Sequence, residues 1–201
     1  MSIPRLSARD MMPEALRGAV IALGNFDGFH LGHQAVAGEA IAQAKAAGMP
    51  AIIATFDPHP VRFFAPHVPW FRLTTLEQRQ RLFAEAGADA MLVFDFDAEL
   101  AATTAEDFVI KLLAERLGVS GVVTGEDFTF GKARGGNTRV LRDLGAAHGI
   151  IASTVGPVVD EGGIISSSRI RDALKAGDCE TATRLLTRPF AIEAVVQHGD
   201  K

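Results

Sequence analysis

The chain has 201 residues, room for one substantial domain and the beginning of a second, and with 48% apolar and 22% charged residues it reads as a folded soluble protein rather than a disordered one. A formal net charge of −4 excludes a broad basic surface for a nucleic-acid polymer, while a local cluster could still hold a small phosphorylated ligand. The single cysteine, Cys179, excludes a disulfide framework and a multi-cysteine zinc site, which fits a reducing cytoplasmic setting, and no run approaches the ~20 apolar residues that span a bilayer.

Met1 to Leu16 interleaves Arg5, Arg9, Asp10 and Glu14 with apolar residues and so lacks the apolar core of a signal peptide. Ala19 to Leu23 is the first buried-strand pattern, followed by the glycine-rich segment Gly24 to His33 and a helical pattern from Gln34 to Ala47. The alternation then repeats. Strand patterns lie at Ala51 to Phe56, Ala90 to Phe94 and Gly121 to Thr124, and helical patterns at Leu76 to Ala86, Glu106 to Leu117, Arg139 to His148 and Ser168 to Ala176. Thr74 with Glu77 and Thr103 with Glu106 have capping-box spacing, and Gly48, Gly87, Gly118 and Gly149 stand where helices need a left-handed residue to stop. A short helix from Glu180 to Leu186 leads through Arg188-Pro189-Phe190 to Ala191 to Gln197, which alternates as a strand but has no evident partner. No internal repeat is present. The expected fold is α/β, a mainly parallel sheet flanked by helices.

The segment Gly24-Asn25-Phe26-Asp27-Gly28-Phe29-His30-Leu31-Gly32-His33 joins a strand to a helix at the carboxyl edge of the sheet, where open α/β sheets bind ligands. Its glycines permit close backbone approach, and the helix start favours an anion. His30 and His33 can face one pocket and donate to phosphate oxygens, which would stabilise charge as a nucleotidyl group is transferred. Two competing readings exist: ordinary helix-start histidines, or a metal pair. The second more often uses i, i+4 spacing and a third ligand.

Three further segments could border the same pocket. Asp57-Pro58-His59-Pro60 ends the second strand in a loop stiffened by two prolines. Gly125 to Gly131, which includes Asp127 and Phe128, leads into the basic connection Lys132 to Asn137, a composition shared by phosphate-closing loops and plain surface loops. Ser166-Ser167-Ser168 precedes a helix carrying Arg169 and Arg171, so hydroxyls can cap the helix while an arginine reaches an anion. Phe63, Phe64, Trp70 and Phe71 could support a flat ring, although aromatic residues are more often core.

The decapeptide Gly24 to His33 resembles the signature of the HxGH nucleotidyltransferases, and in this form it is similar to the FAD synthetase module of bacterial bifunctional riboflavin kinase/FAD synthetases. Thr55 to Pro60, Gly125 to Gly131 and Ile165 to Arg171 resemble that family's further motifs, so the likeness covers Ala19 to Lys201. It implies a Rossmann-like nucleotidyltransferase fold and the reaction of FMN with ATP to give FAD and pyrophosphate. His30, His33, Ser168 and Arg171 would be the catalytic group. Gly24, Asn25, Phe26, Asp27, Gly32, Asp127 and Ser167 would hold ATP, and His59 and Phe128 would line the FMN side. Asp127 stands where the family often has asparagine, and Ser168 where it usually has threonine, so a general-base role for Asp127 does not carry over. Mg2+ is expected to arrive with ATP, and no protein ligands for it are legible; Asp27 could serve, or could instead hold the turn.

By the same resemblance residues 1–187 form the adenylyltransferase domain, and 188–201 are the opening of a truncated riboflavin kinase barrel, whose unpaired strand could promote self-association. Such a remnant cannot close, so riboflavin kinase activity is expected to be absent. Two other readings remain: adenylyl or cytidylyl transfer to another phosphorylated acceptor, such as pantetheine phosphate or glycerol phosphate, and a flavin-nucleotide binding protein without turnover.

Overall fold

The structure is a computed structural model that describes residues 2–69, 71–196 and 199. In chain order the strands are β1 (Arg5–Ser7), β2 (Val20–Leu23), β3 (Ala51–Asp57), β4 (Ala90–Asp95), β5 (Gly121–Gly125), β6 (Thr129–Phe130), β7 (Gly136–Asn137), β8 (Ile151–Val155), β9 (Val159–Asp160) and β10 (Gly163–Ile164). Six of them form one parallel sheet in the order β1-β4-β3-β2-β5-β8, with Ile21 of β2 level with Ile52 and Val122 on its two sides. Two small antiparallel pairs, β6 with β7 and β9 with β10, stand outside it.

The helices are α1 (Leu31–Ala47), α2 (Pro60–Phe64), α3 (Leu76–Glu85), α4 (Ala98–Ala102), α5 (Ala105–Asp107), α6 (Thr138–Ala147), α7 (Ser167–Lys175) and α8 (Cys179–Leu186). Because the central strands are buried on both faces, they read as continuous apolar runs and supply two cores. Val20, Ala22, Ile53, Met91 and Val93 meet Val36, Ala37, Ala40 and Ala44 of α1 and Phe83 of α3. The alternate residues Ile21, Leu23, Ile52, Phe56, Leu92 and Phe94 meet Phe108, Val109, Leu113 and Leu141 on the other face. A third cluster joins α7 and α8 through Ile170, Ala182, Leu185 and Leu186 to Leu73.

The expected α/β class and four of the five expected strands are present, and Gly48, Gly87, Gly118 and Gly149 have the left-handed φ values expected of helix stops. Several details differ. The expected helix from Glu106 is α only through α5 and then widens into a π-helix over Phe108–Arg116, closed by the bond from Leu117 N to Leu112 O. Both N-caps sit one residue late, and only the first is a capping box. Thr75 pairs reciprocally with Gln78 to start α3, and Thr104 accepts from the Asp107 amide to start α5. Thr74 is withdrawn from capping because its hydroxyl donates to Asp27 and accepts from the Gly28 amide, and Thr103 instead closes α4.

The edge strands β1 and β8, the short helix α2 and the small hairpins were not anticipated. The strand expected at Ala191 to Gln197 is not formed over 191–196, and Gln197 lies outside the described residues. A strand needs a partner ladder, and here the Ala191 carbonyl is taken by the Gln78 side chain while Glu193 pairs with Arg81 of α3. Among the described residues no helix is long and apolar enough to cross a membrane.

Candidate active site

From β2 the chain winds through β3 and β4 to one side of the sheet, then through β5 and β8 to the other, so the strand order reverses between β2 and β5. Outside the carboxyl ends of these two strands the fold leaves a crevice, the usual ligand site of an open parallel sheet. A cleft of about 1420 Å³ opens there, lined by Gly24, Asn25, Phe26, His30, Gly32 and His33 after β2, by Gly125 to Arg134 after β5, and by Ile165 to Ser168 and Arg171 at α7. His59 and Phe64 border it from α2 and its start.

The turn after β2 is held from beneath. Asp27 is 1% exposed, and its carboxylate accepts from the Leu73 and Thr74 amides at 3.0–3.1 Å, from the Thr74 hydroxyl at 3.2 Å and from Arg171 Nη2 at 2.5 Å. Asp27 therefore lies behind the turn as its keystone, outside the cleft lining. Around it the turn's carbonyls are drawn inward: Asp27 O accepts from Ser167 Oγ at 2.7 Å and Gly28 O from Arg188 Nη2 at 2.7 Å. Gly28 has φ 87°, and a Cβ there would lie 2.8 Å from Leu73. Phe26 presents only its backbone to the cleft, because its ring is 1% exposed and packs edge-on to Phe29, Phe83 and His33.

His30 is the N-cap of α1, its Nδ1 accepting from the His33 amide at 3.4 Å, which leaves the ring proton on Nε2. The two imidazoles stack with centroids 3.7 Å apart, and a side chain on Gly32 would press on the His30 ring. Burial pushes the His30 pKa down to about 4, against a smaller upward pull from Asp27. His33 falls well below 6.5 for the same first reason, reinforced by His30 and Arg79, and burial also takes His59 down to about 4. All three are neutral near pH 7, so each offers one N–H donor.

At α7 Ser166 caps the helix by accepting from the Arg169 amide, and Ser167 and Ser168 line the cleft. The two arginines separate in role. Arg169 is bound to Asp160 of β9, which also holds Arg184 of α8, whereas Arg171, only 8% exposed, donates to Phe71 O and Asp27 beside the cleft. The loop Lys132 to Arg134 carries two cations along the rim, with Ala133 and Arg134 both at left-handed φ.

One wall is aromatic. Rings contact one another in a row from Phe64 through Phe96, Phe56, Phe94, Phe108 and Phe130 to Phe128, with successive centroids 5.3–6.1 Å apart. Of the aromatics singled out from sequence, Phe64 and Phe128 line the cleft, Phe63 packs on Phe96, Phe71 joins the α7–α8 cluster and Trp70 lies outside the described residues. Phe56, Phe96 and Phe108 were missed, since strand and helix periodicity marks Phe56 and Phe108 only as core and Phe96 falls between the expected elements.

The donor set also bears on a metal. Among the described residues no three His, Cys, Asp or Glu side chains are grouped so that they could hold a metal ion, and Asp27 is saturated by its own donors. These residues fit an ion carried on substrate phosphates and water, the usual habit of magnesium, better than a protein cage.

The sequence profile of the FAD synthetase family matches residues 12–169. The bifunctional riboflavin kinase/FMN adenylyltransferase of Escherichia coli (strain K12) is 36% identical over 184 residues, and that of Pseudomonas fluorescens 37% identical over 185; each match takes in 92% of this chain and 59% of the relative. The chain thus spans about three-fifths of the length of these relatives. Among solved structures, one described as a macrolide-efflux protein from Streptococcus pneumoniae superposes with a TM-score of 0.83 at 28% identity, covering 94% of this chain and 72% of the other.

Proposed function

Because the chain belongs to the FAD synthetase family, we propose that residues 1–187 act as an FMN adenylyltransferase, converting FMN and ATP to FAD and pyrophosphate. The observation that carries this reading is the cleft at the reversal of strand order, where a neutral histidine pair, a helix N-terminus and the buried Arg171 border an aromatic wall. Anion donors and flat apolar rings in one cleft match a substrate pair of which one carries a triphosphate and the other a flavin phosphate.

An oxygen of the FMN phosphate attacks the α-phosphorus of ATP in line. The new P–O bond forms as the bond from the α-phosphorus to the bridging oxygen breaks, and pyrophosphate leaves with that electron pair. The attacking oxygen is already an anion, so no protein nucleophile or general base is required. Catalysis then consists of positioning and charge stabilisation. His30 and His33 donate to the α-phosphate oxygens as neutral imidazoles. Ser167, Ser168 and Arg171 take the triphosphate, and Arg171 offsets the charge that builds on the departing pyrophosphate. Gly24, Asn25, Phe26 and Gly32 give close backbone approach, with Asp127 beside the nucleotide. His59 and Phe128 flank FMN. Magnesium bound to the nucleotide supplies further neutralisation of the leaving group.

Incubating the purified chain with ATP, magnesium and FMN, then separating flavins and assaying pyrophosphate, tests this directly. FAD and pyrophosphate in equal amounts are expected. ATP binding with no flavin product would move the reading to another phosphorylated acceptor.

A further inference from the structure

Arg79 is the largest fully buried side chain among the described residues, and no step of the proposed reaction uses it. It projects from α3 beneath the turn after β2. Burying a guanidinium is costly unless its charge and donors are well matched, and here they are matched unevenly. Asp27 stands 3.9 Å from Nη2, whereas the same carboxylate meets Arg171 at 2.5 Å, and Arg79 Nε has no hydrogen-bond partner among the described residues. The close contacts go elsewhere. Nη1 donates to Thr55 Oγ1 at 2.8 Å and to Asn25 O at 3.4 Å, and the Thr55 hydroxyl donates in turn to Asn25 O at 2.7 Å. One backbone carbonyl is thus held by a buried cation both directly and through a hydroxyl that the cation polarises.

A trans peptide is planar, with its C=O and N–H on opposite sides, and the cis bond of the described chain is at Asp57–Pro58. Drawing Asn25 O inward therefore turns the Phe26 N–H the other way. Asn25 and Phe26 both line the cleft, and among the described residues the Phe26 amide meets no acceptor. Phe26 also has φ 48°, a left-handed conformation that a bulky aromatic residue adopts only when its surroundings impose it. Its ring is locked in the core on one side, and the Arg79–Thr55 pair holds the preceding peptide on the other.

We propose that Arg79 and Thr55 are positioning residues that hold the Asn25–Phe26 peptide inverted, so that the Phe26 amide faces the cleft as a donor to substrate phosphate. The proposal rests on reading the cleft as a nucleotide site. Neither residue touches substrate; both act through the backbone.

The test follows the Phe26 amide in 15N–1H correlation spectra of the full chain titrated with magnesium-free tripolyphosphate. In the unsubstituted chain the Phe26 resonance is expected to move on binding. In Thr55→Val and Arg79→Met that response is lost and the dissociation constant rises about 10- to 100-fold, the effect of one charge-assisted hydrogen bond, while core amides of β3 keep their positions. Arg79→Lys, which restores a buried cation, recovers the Phe26 response and part of the affinity. A Phe26 amide that ignores tripolyphosphate in the unsubstituted chain overturns the proposal, as do Thr55→Val and Arg79→Met affinities within threefold of it. Arg79→Lys behaving like Arg79→Met in both readouts reduces Arg79 to packing and also overturns it. A chain that binds tripolyphosphate with these variant effects yet makes no FAD sinks the adenylyltransferase reading alone. A chain that binds no tripolyphosphate removes the anion site and this proposal together.

Discussion

His30 uses its two ring nitrogens for different tasks. Nδ1 accepts from the His33 amide and caps α1, which fixes the proton on Nε2, where burial keeps the ring neutral and available as a donor. The two tasks can be separated by substitution. His30→Ala removes both and is expected to slow FAD formation about 100- to 1000-fold, as loss of one preorganised donor does, and to lower stability by about 1 kcal/mol, as loss of a cap does. Asparagine is a good N-cap, so His30→Asn should regain the stability in a thermal melt and not the rate. A His30→Asn chain that turns over normally would reduce the ring to a helix cap. How far single residues were legible follows the same division. His30, His33, Ser168 and Arg171 stand in short segments whose residue types announce anion binding, and all four line the cleft. Arg79 and Thr55 were not legible as a pair, because a helix arginine among polar neighbours reads as solvated and only the packing of α3 on the sheet brings it to Thr55 and Asn25.

At the scale of elements, the consecutive threonines before α3 explain a systematic displacement. Thr74 and Thr75 each have a suitable partner three residues on, Glu77 and Gln78, so spacing alone does not choose between them. A long-range contact chooses, since Thr74 is committed to Asp27 and Gly28 in the turn after β2. The two positions should then respond differently. Thr75→Ala is expected to cost about 1 kcal/mol in urea unfolding and leave the ATP dissociation constant unchanged. Thr74→Val should weaken ATP binding through the turn, and equal effects of the two on ATP affinity would contradict this division. The same kind of limit hid the edge strands. β1 has three residues and β8 presents Ile151 at 73% exposure, so neither makes the apolar run that revealed the buried central strands. The π-helix over Phe108–Arg116 was hidden for another reason: its apolar residues fit an α pattern, and the widening appears only in hydrogen-bond pairing.

The whole molecule places three histidines around one cleft because β2 and β3 are adjacent parallel strands whose carboxyl ends both open beside it, and burying those rings ties global stability to pH. In the unfolded chain histidines titrate near 6.5, whereas His30 and His59 fold with pKa values of about 4, burial being the first cause, and His33 lies well below 6.5. Between about pH 6.5 and pH 4 the unfolded chain therefore binds more protons than the folded one. Stability is full above this window and declines as pH falls through it. A depression of this size corresponds to about 3 kcal/mol for a well-buried histidine, a large share of the roughly 5–15 kcal/mol that holds a domain folded. The urea midpoint is accordingly expected to be level from pH 8 to pH 7 and to fall steadily from pH 6.5 to pH 4.5. Substituting both His30→Asn and His59→Gln should flatten that decline, leaving His33 and the carboxylates to set what remains. A midpoint independent of pH over this range, or a doubly substituted chain with the unsubstituted slope, would mean that the rings take up protons in the folded cleft at no cost, and the neutral-donor role assigned to His30 would fall with it.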